Sequence, residues 1–92
     1  MLDIIYETFA SNAEKLEVYL KDFEANRKGI KKILETIPTY WVSTEAEEYY
    51  NRYRNVKDEP EELKTLAKEI ATRMRELCDT LGALVDTKLR NK

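Results

Sequence analysis

Ile37-Pro38-Thr39-Tyr40-Trp41-Val42-Ser43-Thr44 divides this chain into two halves that repeat the same pattern. Before it runs a column of apolar residues stepping by seven: Leu2, Phe9, Leu16, Phe23, Ile30 and Ile37. After it runs a second: Tyr49, Val56, Leu63, Ile70, Leu77 and Leu84. A seven-residue apolar repeat keeps one seam of an α-helix turned toward a neighbour. Pro38 cannot donate a backbone hydrogen bond and biases Ile37 away from helical geometry, so it ends the first helix. Thr44 offers an N-cap for the next helix, with Glu47 three residues on to complete a capping box. A short connection between long helices favours antiparallel neighbours. The pattern therefore predicts an all-α fold, an antiparallel helix-turn-helix hairpin with arms of about 3–37 and 44–90, occupying residues 1–92 as one domain. Each arm would be about 50 Å long or more at 1.5 Å per residue.

Within the first arm, Asp3 is placed to cap the helix. Gly29 costs about 1 kcal/mol against Ala in a helix interior, so it is either tolerated or marks a close backbone approach. In the second arm, Pro60 predicts a kink or break near 57–60, with Asp58 and Glu61 reading as a fresh cap and capping box. The column keeps its phase from Val56 to Leu63, so the two segments are expected to stay aligned. Beyond Pro60 the apolar stripe widens, as Leu66, Ala67, Ala71, Met74, Cys78, Leu81 and Val85 join the column. Two helices side by side shield only a narrow seam, and a core that small supplies little stability alone. The expectation is a dimer, two hairpins completing a four-helix bundle. Its core and dimer stripe would comprise Phe9, Leu16, Phe23, Ile30, Leu63, Ile70, Met74, Leu77, Leu81 and Leu84.

Composition excludes several functions. The 92 residues include 16 Lys and Arg against 18 Asp and Glu, spread evenly over the two halves. Nucleic acid is not an expected partner, because phosphate affinity rests on a clustered positive excess. The aromatic and basic run from Tyr49 to Lys57 and the cluster Arg27, Lys28, Lys31 and Lys32 read as solvated faces of amphipathic helices. There is no His, which removes imidazole acid-base catalysis and Ser-His or Cys-His nucleophiles. The two glycines, Gly29 and Gly82, cannot form a phosphate-binding loop. Cys78 is the only cysteine, so no intrachain disulfide forms, and it reads as a small hydrophobe. No enzyme, metal or cofactor is expected. The N-terminal residues lack a signal-peptide pattern, and no apolar run approaches the roughly 20 residues that span a bilayer. Stable membrane insertion is not expected.

The string Trp41-Val42-Ser43-Thr44-Glu45-Ala46-Glu47-Glu48-Tyr49 resembles the central signature of the WXG-type, ESAT-like proteins, small helical hairpins of bacterial type VII secretion. Length, the midpoint position of the turn and the flanking seven-step columns agree with that family. Ser43 stands where the family carries Gly. The family's C-terminal Tyr-x-x-x-Asp/Glu export signal has no counterpart, since no Tyr here precedes an acidic residue by four positions. The resemblance implies a turn motif of Trp41, Ser43, Glu45 and Ala46. It further implies a type VII substrate, or the targeting partner of one, pairing with an identical or related hairpin. A larger substrate or the secretion ATPase would be a further partner. Such a protein is cytoplasmic or secreted without a cleaved signal peptide, in a Gram-positive-type bacterium. The residues alone also fit a generic cytoplasmic or phage coiled-coil adaptor, in which Trp41 is a packing residue.

Overall fold

The computed structural model describes residues 3–90, with side chains described as far as Gly82. In chain order these residues form β1 (Asp3–Ile4), α1 (Tyr6–Leu20), α2 (Phe23–Glu35), α3 (Ile37–Tyr40), β2 (Trp41–Val42), α4 (Thr44–Val56) and α5 (Pro60–Arg90). The fold is all-α apart from one short ladder, in which β1 and β2 pair antiparallel with Asp3 opposite Val42 and Ile4 opposite Trp41. The Ile5 amide extends that ladder by donating to the Tyr40 carbonyl at 3.0 Å. Asp3 therefore lies in a strand, and the cap expected of it falls to Ile5, which makes no side-chain cap bond.

The expected first arm is two helices. The chain leaves helical geometry at Asp22 (φ −140°, ψ 80°), whose carboxylate accepts the Ala25 amide at 3.2 Å and so caps α2. A short polar side chain that offers its own acceptor competes with a continuing helix in this way. Asn26 adds to the break: its backbone is non-helical, and its side-chain amide donates to the carbonyls of Asp22 at 3.0 Å and Tyr19 at 3.4 Å. The chain folds back, and α2 returns along α1 with Gly29 against the Tyr19 ring. A Cβ at Gly29 would lie 2.6 Å from that ring, so the close approach accounts for the glycine. Pro38 does not end this helix. Its end is at Glu35, where the Thr36 hydroxyl donates to the Lys32 carbonyl at 2.8 Å, and Pro38 lies in the first turn of α3. A missing N–H is harmless there.

The second arm is also doubled. After Val56 the chain reverses through Lys57, Asp58 and Glu59, with the Glu59 amide donating to the Val56 carbonyl at 2.8 Å. The Glu59 carbonyl then accepts from Leu63 at 2.8 Å, which places Glu59, not Asp58, at the start of α5. Arg52 meets Glu69 at 2.6 Å and Glu45 meets Arg73 at 2.5 Å, contacts that only a folded-back pair can make. The expected alignment of the two segments is thus overturned. The spacing from Val56 to Leu63 does not register the reversal, since Leu63 is buried and Val56 is half-buried against the same core on either side of it.

The core lies where these helices meet. Of the expected stripe, Phe9, Leu16, Phe23, Ile30, Leu63, Ile70 and Met74 are buried, and Leu77 and Leu81 are half-buried. The Leu84 and Val85 side chains and all of Leu2 lie outside the described residues. Along α5 the broad stripe is covered mainly by α1, the most extensive helix contact in the fold, with α4 covering the first turns. The apolar surplus that suggested a second layer is thus met within the chain as far as Cys78, whose thiol burial holds above its usual range. Each Leu, Ile or Phe so buried contributes about 1.5–3 kcal/mol.

Candidate interaction surface at the Trp41 turn

Trp41 is 1% exposed, although the sequence places it in a turn between polar residues. Three elements enclose it. Phe9 of α1 meets its indole edge to face at a centroid distance of 5.3 Å, and Tyr49 of α4 meets it at 5.8 Å in a tilted arrangement. Pairing of β2 with β1 fixes its backbone. Tyr40 completes the cluster, 6.3 Å from Phe9, with its hydroxyl donating to the Ile33 carbonyl at 2.8 Å. Burial pushes the Tyr40 phenol far above its ordinary value, so it remains a neutral donor. Edge-to-face aromatic pairs of this kind add about 0.5–1.5 kcal/mol each beyond the area they bury.

The rest of the turn motif is built around the start of α4. Ser43, not Thr44, is the N-cap: its hydroxyl accepts the Ala46 amide at 3.0 Å. Its backbone is extended (φ −167°, ψ 167°), a conformation open to any residue, so nothing at this position calls for glycine. Ala46 is buried beneath the turn. Glu45 reaches across to Arg73 of α5, and that hydrogen bond and charge keep the guanidinium pKa raised. Trp41, Ser43, Glu45 and Ala46 are therefore brought together, as an indole lid, a cap, a tether to α5 and a small residue that allows close approach.

Beside the lid lies a cavity of about 210 Å³ lined by Ile37, Pro38, Trp41, Val42, Ser43, Ala46, Glu47 and Tyr50. Its walls are mainly apolar, and Glu47 is the only charged residue among them. Val42 is 53% exposed, and Ile5, on the neighbouring strand end, is 57% exposed. The Trp41 indole N–H is buried without an acceptor. A site of this character can hold an apolar side chain. Among the described residues no group of three His, Cys, Asp or Glu could hold a metal ion, and no helix is long and apolar enough to cross a membrane.

Sequence reasoning missed the partners of Trp41. The seven-step columns contain Phe9 and Tyr49, and the turn string ends on Tyr49, but neither pattern points to their contact with the indole or to the pairing of Asp3–Ile4 with Trp41–Val42. The available signal was the β-rich pair Ile4-Ile5 matched by Trp41-Val42, too short to stand out against helical periodicity. Three of the basic residues singled out are tied to acids: Arg27 to Glu24, Lys31 to Asp58 at 3.7 Å, and Arg52 to Glu69. Searches against protein-family models, curated proteins and solved structures return no match to this chain.

Proposed function

We propose that this is a non-enzymatic helical protein that works by binding other proteins, and that it belongs with the ESAT-like components of type VII secretion as a substrate or as the targeting partner of one. The observation that carries this reading is the Trp41-Val42-Ser43 turn. There a buried indole joins the two halves of the chain, a serine caps the following helix, and a largely apolar cavity opens beside exposed Val42. On this reading the turn is presented to a partner: an identical or related helical chain completing a four-helix bundle, a larger type VII substrate, or the secretion ATPase. The protein would then act in the cytoplasm, or leave a Gram-positive-type cell without a cleaved signal peptide.

The folded-back arms favour a second reading, a cytoplasmic or phage assembly adaptor, because the long two-armed hairpin that the family resemblance implies is not the arrangement of α1, α2, α4 and α5. One experiment separates the two. The protein is followed in its source organism with and without the secretion ATPase, beside a Val42→Asp variant that alters the rim and leaves the core intact. ATPase-dependent export, or ATPase-dependent co-purification with an exported protein, supports the first reading, and its loss in Val42→Asp supports the turn as the contact. Retention in the cytoplasm with neither behaviour overturns it in favour of the adaptor.

A further inference from the structure

We propose that α1 exchanges between two copies of this chain, with Lys21–Asp22 as the hinge, so that the protein forms a segment-swapped dimer whose partner is a second identical chain. This goes beyond the functional reading and does not depend on it. Two residues alone join α1 to α2. Lys21 already has helical angles (φ −66°, ψ −27°), and no described residue, glycine or other, has a positive φ. The reversal thus contains no left-handed residue and no glycine to enforce it. Rotating Asp22 back and relaxing Asn26 would join α1 and α2 into one helix over residues 6–35. Its length would be about 45 Å at 1.5 Å per residue.

The sequence keeps that open arm amphipathic. Leu16, Phe23 and Ile30 follow the same seven-residue step across the hinge, so the apolar faces of α1 and α2 merge into one seam when the arm straightens. The opened arm would leave Phe9 and Leu16 uncovered, along with the face of α5 that they bury. The same face of a second copy offers identical contacts, and exchange of an identical element is a low-cost route to a dimer. Short hinge loops invite it. The reversal at Lys57–Glu59 does not share this property, because Pro60 in a continuous helix would lose a hydrogen bond and clash with the preceding turn.

Exchange moves the Glu17–Arg75 pair from within one chain to between two. The test therefore places Glu17→Cys and Arg75→Cys in a Cys78→Ser background, leaving only these two thiols. Purified dimer is treated with a short bis-maleimide and analysed on a denaturing gel. Chains linked as covalent dimers are expected; dimer that yields only intrachain links overturns the proposal, as does a protein that stays monomeric up to millimolar concentration. In the otherwise unmodified chain, Asp22→Ala removes the cap that favours the closed turn at both hinges of the dimer and should raise the dimerisation constant by roughly tenfold or more. A Gly-Gly-Ser insertion after Lys21 should lower it. A dimerisation constant indifferent to both changes would likewise sink the idea.

Discussion

The two reversals fold their halves back by different means. At Lys57–Glu59 the next helix opens with Pro60, which cannot sit in an uninterrupted helix, so the break is written into the covalent chain. At Lys21–Asp22 there is no proline, glycine or left-handed residue; the turn rests on the Asp22 cap, the Asn26 side chain and the fit of Gly29 against Tyr19. The reversal at Lys21–Asp22 is held by packing and a few polar contacts, that at Lys57–Glu59 by backbone chemistry as well. Stability differences between the two halves should follow from this, with Trp41 as the joint that makes them one cooperative unit.

The largest effect is expected at that joint. Trp41→Ala removes the edge-to-face contact with Phe9 and the contact with Tyr49 together, and should cost about 3–5 kcal/mol, a large part of the stability of a small domain. Urea unfolding followed by circular dichroism, with Tyr fluorescence as a second probe, should show one transition at a lower midpoint. Two separated transitions in the unmodified protein would break the comparison at its root, since the halves would then unfold independently of the indole between them.

A smaller change tests the packing-held reversal by itself. Gly29→Leu forces a side chain into the space of the Tyr19 ring and should destabilise the protein by about 1–3 kcal/mol, even though leucine is the better helix former. Adding Tyr19→Ala to that variant should restore part of the loss. A Gly29→Leu protein more stable than its parent would show that helix propensity outweighs the close approach, and that something else holds α2 along α1.

This contrast also accounts for what the sequence discloses. Seven-step spacing identifies which face of each helix is buried, and Phe9, Leu16, Phe23, Ile30, Leu63 and Ile70 do enter the core. It is silent on which helix covers that face, because Val56 and Leu63 meet the same core on either side of a reversal that the spacing does not register. Pro60 marks a break, yet not its angle, since a proline in a first helical turn is compatible with either a kink or a reversal. The break at Asp22 carries no proline or glycine; its local signals are the Asp22 cap and the Asn26 side chain, residue types that also occur inside helices, and contacts distant in sequence such as Glu17 with Arg75 accompany it. At the turn, Trp41, Ser43, Glu45 and Ala46 stand out as a local string, whereas Phe9 lies 32 positions before the indole it meets, the difference between 41 and 9.

The smallest predicted effect compares the halves through their ion pairs. Glu17 is held below its ordinary value of 4.5 first by its hydrogen bond to Arg75, and Glu69 likewise by Arg52; the first pair ties α1 to α5, the second α4 to α5. A carboxylate whose pKa is lower in the folded chain binds its proton more readily when unfolded. Its contribution is therefore complete above about 4.5 and fades as pH falls through the folded value. Both pairs are solvated, so the loss should be small and should shrink further with added salt. Thermal midpoints measured from pH 6 to pH 3 should decline for the parent, less for Glu17→Gln or Glu69→Gln, and least for the double variant. Because α1 lacks a backbone lock at its turn, Glu17→Gln should lower the neutral-pH midpoint more than Glu69→Gln does. Equal losses would mean that the two reversals are held alike, and that Pro60 adds nothing the packing does not already provide.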